Sequence, residues 1–250
     1  MKQLVKNVLQ QAGISVMRNT RFNRLEGVYT EIDSFYEFAL GPCSDNRRSQ
    51  WGQDVFALIA NGWKRDGYFV EFGATDGDFL SNTYLLEKSY GWSGILAEPA
   101  KSWHNDLRAN RSAQIETDCV WSRTGEVLTF DAYDDGEFST ISGFGESEMT
   151  NRGRSGRKQS YDVNSISLVD LLKKYDAPRV IDYISIDTEG SELDIIKEFD
   201  FSQYKFNAVT VEHNYSDQRE RIKEVFEANG YRRAFQHISK IEDWYLPQNS

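Results

Sequence analysis

Tyr68-Phe69-Val70-Glu71-Phe72-Gly73-Ala74-Thr75-Asp76-Gly77 decides the fold. Five residues, apolar except for one acid, run straight into a glycine. A strand buried on both faces reads as such a continuous run, because a parallel sheet is covered by helices on each side. The glycine then permits a tight turn and a close backbone approach. Downstream the same unit recurs. Residues 82–90 read as a helix, 94–99 as a strand stopped by Pro99, 101–110 as a helix and 113–120 as a third strand. Residues 127–131 suit an extra strand. Residues 167–175, 191–200 and 216–229 read as helices, alternating with strands over 180–187 and 206–213. Two terminal segments, 231–237 and 241–246, suit an antiparallel pair. This alternation predicts an α/β fold, a mostly parallel sheet with helices on both faces, and ligands at the carboxyl ends of the strands.

Upstream, residues 51–64 carry Val55, Phe56, Ile59 and Trp63 on one helical side. Residues 1–13 place Leu4, Val8, Leu9 and Ala12 on one face, so a short amphipathic helix is expected there, with another near 32–40 ended by Gly41-Pro42. The division is an N-terminal helical extension over 1–50 and one α/β domain over 51–250. Residues 132–160 are rich in Gly, Ser, Asp, Glu and Arg and show no period. They read as a long loop or lid.

The chain has 250 residues, 39% of them hydrophobic and 27% charged, with a net charge of −10. At this length a core forms without disulfide or metal staples. The negative charge opposes docking on a phosphate backbone, so nucleic acid is not an expected partner. No apolar run approaches the roughly 20 residues of a membrane span, and the first residues lack the apolar core of a signal peptide. The 2 cysteines, Cys43 and Cys119, make neither a CxxC nor a disulfide framework, which fits a cytoplasmic location. The first helix is a candidate dimer element.

Carboxylates recur where strands end. Glu98 closes the second strand, where an acid typically accepts from ribose hydroxyls. Asp118 lies near the end of the third, where an exocyclic amine can be met. Asp187 ends a very apolar strand and opens Asp187-Thr188-Glu189-Gly190-Ser191-Glu192. Glu212 and His213 end the next. Asp187, Glu212 and His213 would thus sit on neighbouring tips. Such a set can hold a hard divalent cation such as Mg²⁺, with His213 as an extra ligand. Alternatively Asp187 or His213 is a general base without metal, or the acids only cap strand ends. Arg152, Arg154, Arg157 and Lys158 interrupt the acidic chain and could grip a phosphorylated sugar.

Taken together, these residues resemble the FkbM-type family of S-adenosylmethionine-dependent methyltransferases. The matching stretches, in order, are Ser49-Gln50-Trp51-Gly52-Gln53-Asp54, the 68–77 stretch, Ser81-Asn82-Thr83, Gly91-Trp92-Ser93-Gly94, Glu98-Pro99, Ile186 to Glu192, and Val211-Glu212-His213-Asn214. No single piece is specific; their joint order over about 49–235 is. The resemblance implies a class I methyltransferase (Rossmann-like) fold with a seven-stranded sheet whose last strand is antiparallel. It also implies O-methylation of a sugar, nucleotide sugar or glycosylated metabolite. Carried over by position, Glu71 and Gly73 would hold the methionine end of the cofactor, with Ala74 and Asp76 in the same turn. Glu98 would take the ribose. Asp118 would take the adenine amine, with Cys119 and Val120 beside the ring. Ser81 and Asn82 would reach the cofactor carboxylate, and Gln53 and Asp54 would close over it. Many class I enzymes carry glycine where Ala74 stands. Two other readings remain open: a non-catalytic cofactor-binding module, and a nucleotide-cofactor oxidoreductase, against which the lack of GxGxxG counts.

Overall fold

The computed structural model describes residues 46–133, 138–144 and 157–249. The extension expected over 1–50, apart from its last five residues, and Arg152 and Arg154 of the expected lid lie outside the described residues. Strands β1 (Tyr68–Phe72), β2 (Ser93–Ala97), β3 (Gln114–Glu116), β8 (Val180–Ile186), β9 (Lys205–Glu212), β10 (Tyr231–Ala234) and β11 (Glu242–Pro247) form one seven-stranded sheet. Its order is β10-β11-β9-β8-β1-β2-β3. All neighbours are parallel except β11, which runs antiparallel to both β9 and β10. The chain leaves β1 toward β2 and β3, then returns to the other side of β1 with β8. Strand order therefore reverses between β1 and β8, where a doubly wound sheet opens its ligand crevice.

Alternation along the strands explains why both faces are covered. Val70, Phe72, Ile95, Ile184 and Val209 point into one core with α4 (Leu168–Lys174) and α5 (Glu192–Ile196). Phe69, Leu96, Tyr183 and Ala208 point into the other, with α1 (Gln53–Ala60) and α2 (Tyr84–Tyr90). Phe56 of α1 stacks on Trp244 with ring centroids 4.8 Å apart, pinning α1 to the antiparallel strand. Helices α3 (His104–Asn110) and α6 (Arg219–Ala228) complete the layers. Ser167 caps α4 by accepting from the Asp170 N–H.

Two expectations need correction. The strand expected over 113–120 is two strands in different sheets. Glu116 folds its carboxylate back to accept the N–H groups of Thr117 and Asp118, at 2.9 and 3.0 Å. These donors are lost to a ladder, and the chain turns out of the main sheet. β4 (Cys119–Trp121) then joins a second sheet of order β4-β7-β5-β6, with β5 (Val127–Tyr133), β6 (Thr140–Ile141) and β7 (Lys158–Ser167). The expected lid over 132–160 is partly this sheet. β7 pairs with β5 from Val127↔Asn164 to Tyr133↔Lys158. Lys158 meets Asp131 at 3.0 Å, so it is engaged within the sheet. β7 is largely polar and half exposed, which hides it from a search for apolar runs.

Candidate active site

A cavity opens at the carboxyl ends of β1, β2, β8 and β9, walled on one side by the second sheet. Glu71, Gly73, Ser81, Asn82, Glu98, Cys119, Asp187 and Glu212, all singled out from sequence, line it. Val120, Phe130, Phe138 and Ile141 supply an apolar wall. None of the described lining residues is a lysine or arginine.

Gly73 stands with φ +70° where β1 ends. A Cβ there would strike the backbone carbonyl of Asp187, so the two strand tips approach because this residue has no side chain. Backbone strain clusters around the cavity: Thr75, Leu80, Glu189 and Asn214 all have positive φ and all line it. Such conformations persist only where surrounding contacts over-determine them.

Glu98 is held by two backbone donors, Thr75 N–H to Oε2 at 2.9 Å and Ala100 N–H to Oε1 at 2.7 Å. Burial nevertheless pushes its pKa up to about 7. Glu71 accepts from Asn82 N–H at 2.7 Å, from Ser81 Oγ at 3.1 Å and from Thr83 Oγ1. Burial raises its pKa, with the Arg111 guanidinium opposing. Asn82 donates Nδ2 to Ser185 Oγ at 2.9 Å, whereas its buried Oδ1 has no partner.

Asp187 and Glu212 meet across the tips of β8 and β9. The two carboxyl groups lie close together, and the Asp187 charge helps to raise the pKa of Glu212. Burial first, then the Glu192 charge, pushes Asp187 up to about 7. Burial and the neighbouring acids hold Glu212 well above the carboxylate range. Glu189 completes a set of three: one oxygen from each of Asp187, Glu189 and Glu212 lies within 4.8 Å of the others. Glu192 caps the connecting loop, accepting from Thr188 N–H at 2.9 Å and Gly190 N–H at 3.0 Å.

Several expected residues fall elsewhere. His213 is turned out of the carboxylate set. Its Nδ1 accepts from the Tyr215 N–H at 3.0 Å, and its Nε2 lies 3.8 Å from Asp243, which Arg219 already grips at 2.8 and 3.0 Å. Burial lowers its pKa to about 4. Gln53 does not close over the cavity; it bridges the Trp51 N–H and Glu242 Oε1, and Gln50 lines the cavity instead. Asp54 accepts from Ser49 Oγ and the Val55 N–H behind the wall. Ala74 is buried in the core beside α1 and α2. Asp76 shapes the turn, its Oδ1 accepting from the N–H groups of Asp78 and Phe79 at 2.9 and 2.8 Å. Asp118 sits in the turn between the two sheets and is not among the lining residues, although Cys119 and Val120 are.

Sequence reading missed Glu242 and Arg111, and left Glu189 out of the cluster. Glu242 faces Glu212 in the β9–β11 register. Burial pushes it up to about 8, although Gln53 and Trp244 donate to it. No local signal marks Glu242, since its place depends on strand register. Glu189 was visible in the acidic run after Asp187.

The family model for the methyltransferase FkbM domain matches residues 71–233, more than half of the chain. Among curated proteins no sequence matches. Two solved structures are similar at low identity. Precorrin-6y C5,15-methyltransferase from Geobacter metallireducens is 12% identical, over 72% of this chain and 71% of that one, with a TM-score of 0.37. The Methanococcus jannaschii fibrillarin pre-rRNA processing protein is 12% identical, over 83% of this chain and 85% of that one, with a TM-score of 0.38. The fold assignment rests on the strand order itself, with the single antiparallel strand second from the edge. With the matched domain running from the end of β1 into β10 and taking in every strand tip that lines the cavity, this chain belongs to the FkbM methyltransferase domain family of S-adenosylmethionine-dependent enzymes.

Proposed function

We propose that the protein transfers the methyl group of S-adenosylmethionine to a hydroxyl oxygen of a sugar or glycosylated metabolite. One observation carries the reading: Asp187 and Glu212, two neighbouring carboxyl groups whose pKa values are both raised, stand together in the cavity at the strand tips. A base with a pKa near the working pH combines the correct protonation state with driving force for proton transfer. Asp187, pushed up to about 7, meets that condition.

The residues fit the cofactor. Glu98 keeps lone pairs on both anchored oxygens for the ribose diol. The unpartnered Oδ1 of Asn82 is an acceptor suited to an ammonium group. Cys119, Val120, Phe130 and Ile141 offer an apolar wall to a flat base. The surrounding carboxylates favour a molecule that carries positive charge at its sulfonium and amino groups. Bound S-adenosylmethionine supplies an electrophilic methyl group. The protein's part is to hold the acceptor oxygen in line with it, worth up to roughly 7–11 kcal/mol in intramolecular models, and to receive the proton at the Asp187–Glu212 pair. Asp187, Glu189 and Glu212 would also hold a divalent cation, which lowers the pKa of a coordinated hydroxyl. The same lining disfavours the oxidoreductase reading, since a dinucleotide pyrophosphate would meet acids and no cation among the described residues.

Calorimetric titration with S-adenosylhomocysteine, with and without Mg²⁺ and with NAD⁺ as control, tests the proposal. Micromolar binding is expected for S-adenosylhomocysteine and none for NAD⁺. An acceptor screen over neutral and nucleotide-linked sugars follows. A protein that binds S-adenosylhomocysteine and methylates no hydroxyl compound, but does methylate amines, would overturn O-methylation.

A further inference from the structure

The loop over 73–83 supplies Gly73, Thr75, Phe79, Leu80, Ser81 and Asn82 to the cavity. Its backbone is strained at two residues that carry a side chain, with φ +46° at Thr75 and +56° at Leu80, and turns through Gly73 and Gly77 at +70° and +79°. The loop makes few backbone bonds of its own, from Gly77 N–H to Ala74 O and from Ser81 N–H to Asp78 O. Something outside must hold it.

Glu98 and Glu71 hold Thr75 and residues 81–83 from the strand tips, and the end of α3 holds the loop from the other side. Arg111 follows the last residue of that helix, and its side chain is completely buried. Nη1 donates to Gly77 O at 3.1 Å and to Ser81 Oγ at 2.9 Å. Nη2 donates to Thr83 Oγ1 at 2.9 Å. Nε donates to Glu87 Oε2 of α2 at 2.9 Å. Nη1 also lies 3.9 Å from Glu71 Oε2. The preceding residue, Asn110, donates Nδ2 to Asp76 O at 2.9 Å. The fit is tight, because a Cβ on Gly77 would lie 2.5 Å from Arg111 Cγ and 2.7 Å from Leu107 Cδ1. Arg111 is not among the cavity's lining residues. Burying a guanidinium is costly unless its donors are matched, and here the matching acceptors belong mainly to the loop. The planar fork of arginine spans these directions at once; a lysine ammonium cannot.

We propose that Arg111, assisted by Asn110, is a positioning residue that fixes the 73–83 loop in its cofactor-accepting form, acting through Gly77, Ser81 and Thr83 without touching the cofactor. This rests on the methyltransferase reading. The test compares wild type with Arg111→Lys, Asn110→Ala and Glu87→Gln. Melting temperature and the Kd for S-adenosylhomocysteine are measured, the latter at a temperature where every variant is folded. Arg111→Lys should weaken binding at least tenfold, and Asn110→Ala a few-fold. Glu87→Gln weakens the outer ion pair and leaves the loop bonds in place. It should lower the melting temperature yet keep Kd within twofold.

Wild-type Kd in Arg111→Lys overturns the proposal, as does a Glu87→Gln variant that loses affinity to the same extent. Should Arg111→Lys not fold, Asn110→Ala decides, and an unchanged Kd there overturns the proposal. A wild-type protein that does not bind S-adenosylhomocysteine overturns the methyltransferase reading itself. Wild-type binding with indifferent variants overturns this inference alone.

Discussion

Asp187 and Glu212 lie close enough that ionisation of one disfavours ionisation of the other, because like charges sharing a site raise a pKa. The pair therefore titrates as a unit, and a proton from the acceptor has a place to go. Asp187→Asn removes that capacity while keeping size and polarity. It should lower kcat by about 10²–10⁴-fold, the usual worth of a positioned base, and leave the Kd for S-adenosylhomocysteine within threefold. Parallel loss of affinity and turnover would show that Asp187 serves binding instead. His213, with its pKa lowered to about 4 and its Nδ1 occupied by the Tyr215 N–H, is poorly placed for either role. Its adjacency to Glu212 was plain in the sequence; its direction was not, because successive side chains of a strand point to opposite faces.

At the scale of elements, the second sheet shapes the site. β5 and β6 bring Phe130 and Ile141 to the cavity wall. Thr140 on β6 joins this wall to the loop after β8, its Oγ1 placed 3.2 Å from both Thr188 O and Glu189 O. Thr140→Val keeps the shape and removes the donor. Losing one hydrogen bond is worth about 0.5–1.5 kcal/mol. We expect the acceptor KM to rise roughly 2–10-fold with cofactor affinity unchanged; steady-state kinetics with each substrate varied in turn checks it. An unchanged acceptor KM would mean that the two sheets frame the site independently. The polar composition of β7 concealed this sheet, and the self-capping of Glu116 broke a strand that hydrophobic pattern alone extends through Val120.

For the molecule as a whole, the chain folds around acids it cannot fully neutralise. Burial pushes Glu98 up to about 7 and Glu242 up to about 8, from an ordinary value of 4.5. Between those values and 4.5 the folded protein holds protons that the unfolded chain has released. Stability then falls as pH rises through that window, because the folded state binds more protons than the unfolded one. The acids whose pKa is lowered, Asp243 and Glu87 among them, act in the opposite sense at lower pH. The melting temperature of the free protein should therefore peak at about pH 4–5 and drop by several degrees toward pH 8, at about 2–4 °C per kcal/mol for this chain length. Thermal scans across pH 4–9 check this, and a melting temperature that is flat or rising across the window would overturn it.

Local pattern was enough for the parallel strands, for the crevice at their carboxyl ends and for the tip residues Glu71, Glu98, Asp187 and Glu212. These features follow from hydrophobic runs that end abruptly in glycine or acid, and such runs are written contiguously in the chain. The amino-acid order also carried the family, through several short motifs in a fixed succession. Tertiary structure alone decided which acids meet. Glu242 is brought opposite Glu212 by the antiparallel register of β11 on β9, and Arg111 reaches the 73–83 loop across more than 25 residues of chain. It also turned His213 toward Asp243 and Gln53 toward Glu242. A side chain's direction and partners depend on register and packing between distant segments, and these are set only when the whole sheet closes.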